Sequence, residues 1–548
     1  MYRTDDAVNA TNASFTDLTA VQQTSAAPNQ TLNYCGDPQI GAQCVYDNVV
    51  YSPPGKPDVV YLGGVYNYSN YGFRNNGRAF IRSVNAGLTF TDMTWDSIAG
   101  VPPPGSYAGS VYPATGIAPN GMHPDSHAMV EIPGTDSAIF GSDGGLVRSS
   151  GSFADISSQC ASPRGLTGTE LATCRQMLSA VPSYLYNLNK GLSTLQFQSL
   201  SVAVDNPKHL QGGTQDNGTF ETYGSATTWP QVIYGDGGQS GFNVGNSALR
   251  FNSFTNNAQD VNFQNGEPLK WVIATGPIRA SGESALFYSP MIADPLTAGT
   301  IFEGSLSVWR TQDWAGNQAF LEANCPEFTT SSFNPACGDF VRIGPSGATN
   351  LTASATDYRG TSRSGGNVAA VARTASDTGT LWAATTAGRV FVSKNANDAT
   401  NINITFMRLD SLDANSPGRF ISGIVIDPAN SNHAWISYSS YSTLTPAQPG
   451  HIFSVTYDPS GPSATWTNLD GSSFPDFPAT SIAFDSVKGD VYASNDWGVL
   501  VLTNGSSTWL VAGTGLPNVE VAGLTIVPSA RKLYAATHGR SAWQLTLP

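Results

Sequence analysis

Charge is scarce in this chain: 12% of its 548 residues are Asp, Glu, Lys or Arg, only seven are lysine, and the net charge is -14. With no basic patch against that sign, polyphosphates are repelled, which excludes nucleic acid and anionic membrane surfaces as partners. A glycan or a peptide remains open as ligand. No run of about 18 apolar residues occurs, so no membrane span is expected. No charged-then-apolar leader opens the chain, and the sequence is therefore expected to be a mature or trimmed form. A Gly-x-Ser-x-Gly elbow, a phosphate-cradling loop, and CxxC or CxxCH spacings are also missing, which removes the usual signals of a nucleophilic triad, a nucleotide site, a zinc site and haem attachment.

Cysteine is sparse too, but its placement is informative. Cys35 and Cys44, Cys160 and Cys174, and Cys325 and Cys337 are neighbours in sequence, each closing a short loop, and we expect three local disulfides. Disulfides persist in oxidising compartments, so the expected location is extracellular or periplasmic, that of a secreted protein.

What is abundant is turn and strand chemistry: 56 Gly, 34 Pro, 11 Trp and 21 Tyr describe many short strands joined by tight turns. A unit recurs in which an apolar strand ends in Asp or Pro and a second strand follows a turn. Ser201 to Asp205 precedes His209 to Gly213, Met291 to Pro295 precedes Thr300 to Gly304, and Gly423 to Pro428 precedes His433 to Tyr438. Ser481 to Asp485 precedes Asp490 to Ser494, and Leu524 to Pro528 precedes Lys532 to Ala536. Asp205, Asp294, Asp427 and Asp485 are thus read as turn residues. An aromatic fourth-strand pattern ends several units, at Phe90, Phe406, Trp466 and Trp509, where it is expected to pack between blades.

First-strand anchors near Pro53, Pro133, Asp205, Arg250, Asp294, Ala375, Asp427, Asp485 and Pro528 make about nine units at spacings of roughly 40 to 80 residues. The expected fold is all-β: a single large β-propeller over 1–548, of eight to ten blades with nine as the best count. The three-stranded C-terminal unit, 521–547, is expected to be completed by a closing strand at 13–20, where Ser14 to Thr19 has the fourth-strand pattern, so that pairing of the termini removes free edges. Loop insertions are expected at about 98–120, 157–196 and 321–365, and function on such loops.

Ser83-Val84-Asn85-Ala86-Gly87-Leu88-Thr89-Phe90 resembles the Asp-box, with Asn85 in place of its Asp and Phe90 in place of its Trp. Met122 to Met129, Gly141 to Ser149, Gly213 to Thr219, Gly235 to Gly238 and Thr537 to Trp543 are similar, in order and spacing, to secreted bacterial propellers called BNR-repeat or sortilin-like glycosyl hydrolases. The resemblance implies the propeller fold and a glycosidase or carbohydrate-binding role. A sialidase is not implied, because the nearest string to its Phe-Arg-Ile-Pro stretch is Val341-Arg342-Ile343-Gly344, far along the chain.

Two imidazoles and a carboxylate fall within five residues at His123, Asp125 and His127; on a strand these share one face and converge on a metal, such as a structural calcium ion, or on a sugar. Asp143 precedes two glycines, as a turn or a ligand-binding residue. Gln215, Asp216 and Asn217 read as a hairpin turn more polar than a turn needs, and Asp236 is flanked by glycines that permit close approach of a ligand. Asp125, Asp216 and Asp236 are the candidate catalytic carboxylates, with His123, His127, Gln215, Asn217 and Asp143 as ligand-binding candidates. Two carboxylates at about 5 Å suit a retaining glycosidase, and roughly 6.5–9.5 Å an inverting one. The alternative is a non-catalytic, sortilin-like binding or cell-surface assembly protein that uses the same residues.

Overall fold

A computed structural model of the chain describes residues 2–17, 45–65, 80–98, 122–160, 168–327, 330–344, 351 and 366–548. They form eight four-stranded antiparallel sheets and one three-stranded sheet, together with two two-stranded pairs, and all but one of the nine larger sheets are made of strands consecutive in the chain. The protein is an all-β propeller, with blades numbered here in chain order. The chain divides into two compact units, Met1–Leu192 and Ser193–Pro548. No helix among the described residues is long and apolar enough to cross a membrane.

The first unit holds blade 1, from Val49–Tyr51 to Thr91–Asp92, and blade 2, with strands Ser126–Glu131, Ala138–Ser142, Gly145–Ser149 and Leu185–Asn187. Before its fourth strand, blade 2 carries an insertion with the helix Gly168–Met177 and the Cys160–Cys174 disulfide. The second unit holds blades 3 to 9, beginning at Ser201, Ser240, Met291, Val368, Ile421, Ala479 and Val521. The first strands of blades 1 and 2 touch within the first unit; within the second, those of successive blades from 3 to 9 touch, as do those of blades 9 and 3. At that last junction Thr525 Oγ1 donates to the Leu200 carbonyl, and Phe197, Leu200 and Leu210 share a cluster with Tyr534 and Ala536.

The repeating strand pairs read from the sequence are antiparallel ladders here, as in Val425 opposite Trp435 and Ile482 opposite Ala493. Eight of the nine anchors fall at the ends of first strands. Arg250 does not: it lies on the second strand of blade 4, Asn246–Ser253, because the first strand is the short Ser240–Asn243. The closing strand requires correction. Thr16–Asp17 pairs with Tyr2–Arg3, and blade 9 has three strands among the described residues. The physical difference is burial: Phe15 is 44% exposed, whereas Trp466 and Trp509, which carry the same pattern, are buried between blades. Trp509 Nε1 donates to the Leu469 carbonyl after the preceding blade, and Trp271 Nε1 reaches the Val232 carbonyl in the same way.

The Asp-box-like segment is a hydrogen-bonded turn between the third and fourth strands of blade 1. Ser83 Oγ accepts from the amides of Asn85 and Gly87, and Asn85 Oδ1 accepts from the Thr89 amide. Blades 4 and 5 make the same connection in other letters: the last residue of the third strand, Asn262 or Thr311, accepts from the amide four residues on, Gly266 or Ala315. The sequence hides these copies because any short side-chain oxygen serves.

The Asp residues at first-strand ends are turn caps, as expected, and several also join blades. Asp294 Oδ1 accepts the amides of Leu296 and Thr297, while Oδ2 takes Arg373 of blade 6. Asp485 accepts both terminal nitrogens of Arg531 at 2.8 Å.

The Cys325–Cys337 disulfide closes a loop that hydrogen-bonds blade 4 from outside it: the Ile273 amide donates to the Cys325 carbonyl, and Glu327 donates to that of Trp271. Cys35 and Cys44, and the insertion at 98–120 beyond its first residue, lie outside the described residues. Replacing Cys325 and Cys337 together by Ser is expected to cost about 2–3 kcal/mol through the freed loop, as a lower thermal midpoint that a reducing agent imposes on the native chain too.

Blades 4 and 5 bury carboxyls. Burial pushes the fully buried Glu303 up to about 8 against the opposing bond from Gln259 Nε2. Burial likewise raises Asp260 and Glu327, which lie together. A carboxyl raised on folding makes the native state hold more protons than the unfolded one. Its stabilisation is therefore full below the unfolded value near 4.5 and is lost as pH climbs towards about 8. Glu303→Gln is expected to flatten that decline, read as urea midpoints across the window.

Candidate functional site

The candidate residues fall into one group in each unit. In the first unit the strand expected to carry His123, Asp125 and His127 starts only at Ser126, and Asp125 has φ 65°, in the left-handed region. Alternation along a strand therefore does not align the three. His123 Nδ1 donates to the Pro124 carbonyl at 2.7 Å, and its side chain lies against Gly144, where an added Cβ would come within 2.4 Å of the His123 Cβ and 2.6 Å of its ring. His127 faces carboxylates with both nitrogens: Nε2 is 2.7 Å from Asp143 Oδ1, and Nδ1 is 3.6 Å from Asp47 Oδ1. Asp47 was not singled out from the sequence. It is fully buried, and burial, with Asp143 adding and His127 and Asp125 opposing, raises its pKa. Asp143 and Gly144 form a two-residue hairpin, since Ser142 pairs with Gly145. The half-exposed His127 imidazole thus lies between Asp143, which it bonds, and Asp47.

In the second unit, Gln215, Asp216 and Asn217 form the loop between the second and third strands of blade 3, closed by Thr214 opposite Gly218. The left-handed positions are Asp216, at φ 61°, and Gly218, so the turn is a three-residue loop rather than an Asn-Gly hairpin. A left-handed Asp is uncommon and is tolerated because its short carboxylate bonds locally. Asp236 follows the fourth strand, on the loop to blade 4. The alternation of strand direction brings both loops to the same end of the sheets.

There Asp236 Oδ1 accepts the Asp216 amide at 3.3 Å and the Tyr288 hydroxyl at 2.7 Å. The loops approach this closely because Gly213 lacks a Cβ; one would lie 2.3 Å from the Gly238 carbonyl. Tyr288, on the loop between blades 4 and 5, was not singled out either. Burial first, then the carboxylate of Asp236, push its pKa well up, so the phenol stays protonated and donates. Gln215 Oε1 accepts from Gln196 Nε2, and the Asn217 carbonyl from Gln231 Nε2. The structure thus joins Asp216 to Asp236 and His127 to Asp143.

No family model matches the chain, and no curated protein matches it in sequence. Solved structures resemble it at low identity. The Niastella koreensis GH74 (NkGH74) enzyme is 12% identical, with a TM-score of 0.48 over 91% of this chain and 59% of that one. YCF48 from Cyanidioschyzon merolae is 11% identical, with a TM-score of 0.44 over 65% of this chain and 97% of that one. The Myceliophteria thermophila Cps50 (Swd1) β-propeller domain is 10% identical, with a TM-score of 0.43 over 66% and 99%. The chain belongs to the class of β-propeller proteins by its own sheets. Its chemistry has to be argued from its own side chains.

Proposed function

We propose that the protein is a secreted, glycan-directed β-propeller that hydrolyses a polysaccharide or glycoconjugate by acid/base chemistry, with Asp216 and Asp236 as the reacting pair. The observation that carries this reading is the Asp216–Asp236–Tyr288 contact. Two carboxylate residues from different loops meet, and one is fixed by a protonated phenol and a backbone amide. These two bonds use Oδ1 of Asp236, and Oδ2 is the oxygen assigned to take a proton from water or a sugar hydroxyl. Asp216, in its left-handed turn, supplies the second carboxyl, the acid to the leaving oxygen. Gln215 and Asn217 flank it as hydrogen-bonding groups for sugar hydroxyls.

His123, Asp125, His127 and Asp143 are assigned to ligand binding in the first unit, where Asp47 lies beside His127 and is hydrogen-bonded with Asp125. A calcium ion could take the carboxylate oxygens of Asp125 and Asp143; His127 is a poor third ligand, because both its nitrogens already face carboxylates. The test is a hydrolysis screen over neutral polysaccharides with the native chain beside Asp216→Asn and Asp236→Asn. Turnover by the native chain that both variants lose supports the reading. Binding without turnover replaces it by the binding-protein alternative.

A further inference from the structure

At the same end of the sheets in the second unit, the loop between the second and third strands of blade 8 is the two-residue hairpin Asp496-Trp497, closed by Asn495 opposite Gly498. A tryptophan at a hairpin tip is an unusual choice, since turns favour small polar residues. Trp497 is 54% exposed, and its amide is fixed by Asn495 Oδ1 at 2.8 Å. Phe477, from the preceding loop, lies 5.8 Å away, ring centre to ring centre, and tilted by 39°, bracing one side of the indole.

Polar groups surround this platform. Asp496 adjoins Trp497 in the chain and feels the charge of Glu520, whose Oε2 takes His538 Nδ1 at 2.8 Å. The His538 amide donates to the Glu520 carbonyl, and His538 forms a bridge with Gln196, which in turn bonds Gln215. A run of neighbouring groups thus leads from the Trp497 hairpin, by the charge of Glu520 on Asp496, and then by direct contacts through His538, Gln196 and Gln215 to Asp216 and Asp236.

We infer that the Trp497 hairpin is a sugar-binding subsite, in which the indole stacks on the apolar face of a neutral pyranose while Asp496 and the Glu520–His538 pair bond its hydroxyls. This rests on the glycan reading above and places an outlying sugar of the same chain on Trp497. A neutral ring fits better than a cation, because Glu520 is already paired with His538 and burial, with Glu520, raises the pKa of Asp496 and disfavours its charge. A polyanionic sugar is disfavoured by the net charge of -14.

The test measures binding and turnover of a panel of neutral β- and α-linked gluco-, manno- and xylo-oligosaccharides by the full chain, with Trp497→Ala, Trp497→Phe and Asp236→Asn beside it. A stacking contact corresponds to roughly a tenfold change in Kd. We expect Trp497→Ala to raise Kd or KM about tenfold for longer oligosaccharides and little for the shortest, with an unchanged thermal midpoint and partial rescue by Phe. If Trp497→Ala binds every length like the native chain while Asp236→Asn loses turnover, the subsite is refuted and the catalytic reading stands. If Trp497→Ala weakens binding while Asp236→Asn keeps its turnover, the subsite stands and the catalytic assignment falls. Saturable binding of a lysine-rich peptide in place of any sugar, abolished by Trp497→Ala, overturns the proposal.

Discussion

Asp236→Asn should lower kcat on a hydrolysable glycan by roughly a hundred- to ten-thousand-fold, the range expected when a positioned general acid or base is removed. The substitution is nearly isosteric. An Asn side-chain oxygen can still accept the Asp216 amide and the Tyr288 hydroxyl, the two bonds that Asp236 Oδ1 accepts now. The loops should therefore keep their places, and the loss should fall on kcat with KM little changed. Tyr288→Phe removes one donor and leaves the carboxylate, so its effect should be smaller, and it measures what fixing the base contributes. A thermal midpoint equal to that of the native chain would show that Asp236→Asn acts on chemistry. A variant that keeps its turnover would remove Asp236 from the reaction.

Arg373→Met should destabilise the second unit by about 3–5 kcal/mol, the usual cost of leaving one partner of a buried ion pair alone. The Asp294 and Arg373 side chains are 1% and 3% exposed, and Nε and a terminal nitrogen of Arg373 both bond Asp294 Oδ2. The third guanidinium nitrogen donates to the Thr380 carbonyl at 2.6 Å, and the plane lies 5.0 Å from the Phe302 ring centre. Met preserves most of the stem's packing, so the loss isolates the stranded carboxylate. The double variant Arg373→Met with Asp294→Asn should recover a large part of it. Urea unfolding of the single and double variants checks both statements.

Much of the fold was legible because its signals are local and repeated. First strands ending at Asp294, Asp427 and Asp485 declare themselves by the capping of the turn that follows, and Trp466 and Trp509 mark the seams between blades. Where one signal stood alone, it misled. Ser14 to Thr19 carries the letters of a fourth strand, but Phe15 has no neighbouring blade to bury it. Arg250 took the place of an anchor because the first strand of its blade, Ser240–Asn243, is short and is not closed by the Asp or Pro that marks most of the others.

The candidate site was half legible. Asp216 and Asp236 stood out by their glycine-rich surroundings, which exist so that two loops can touch. Asp47 and Tyr288 did not, because each reaches its group from a distant segment and nothing in its neighbours marks it. Trp497 was also missed. An exposed tryptophan at a hairpin tip looks, in sequence, like one more blade aromatic.

The end of the second unit bearing Asp216, Asp236 and Trp497 is proposed to receive a neutral glycan. The most direct measurement is a crystal structure of the full-length Asp236→Asn chain soaked with the longest oligosaccharide of the panel that binds. A sugar is expected within hydrogen-bonding reach of Asp216 and the introduced Asn side chain, with a further ring against the Trp497 indole. An oligosaccharide seated elsewhere, with these loops bare, would contradict it.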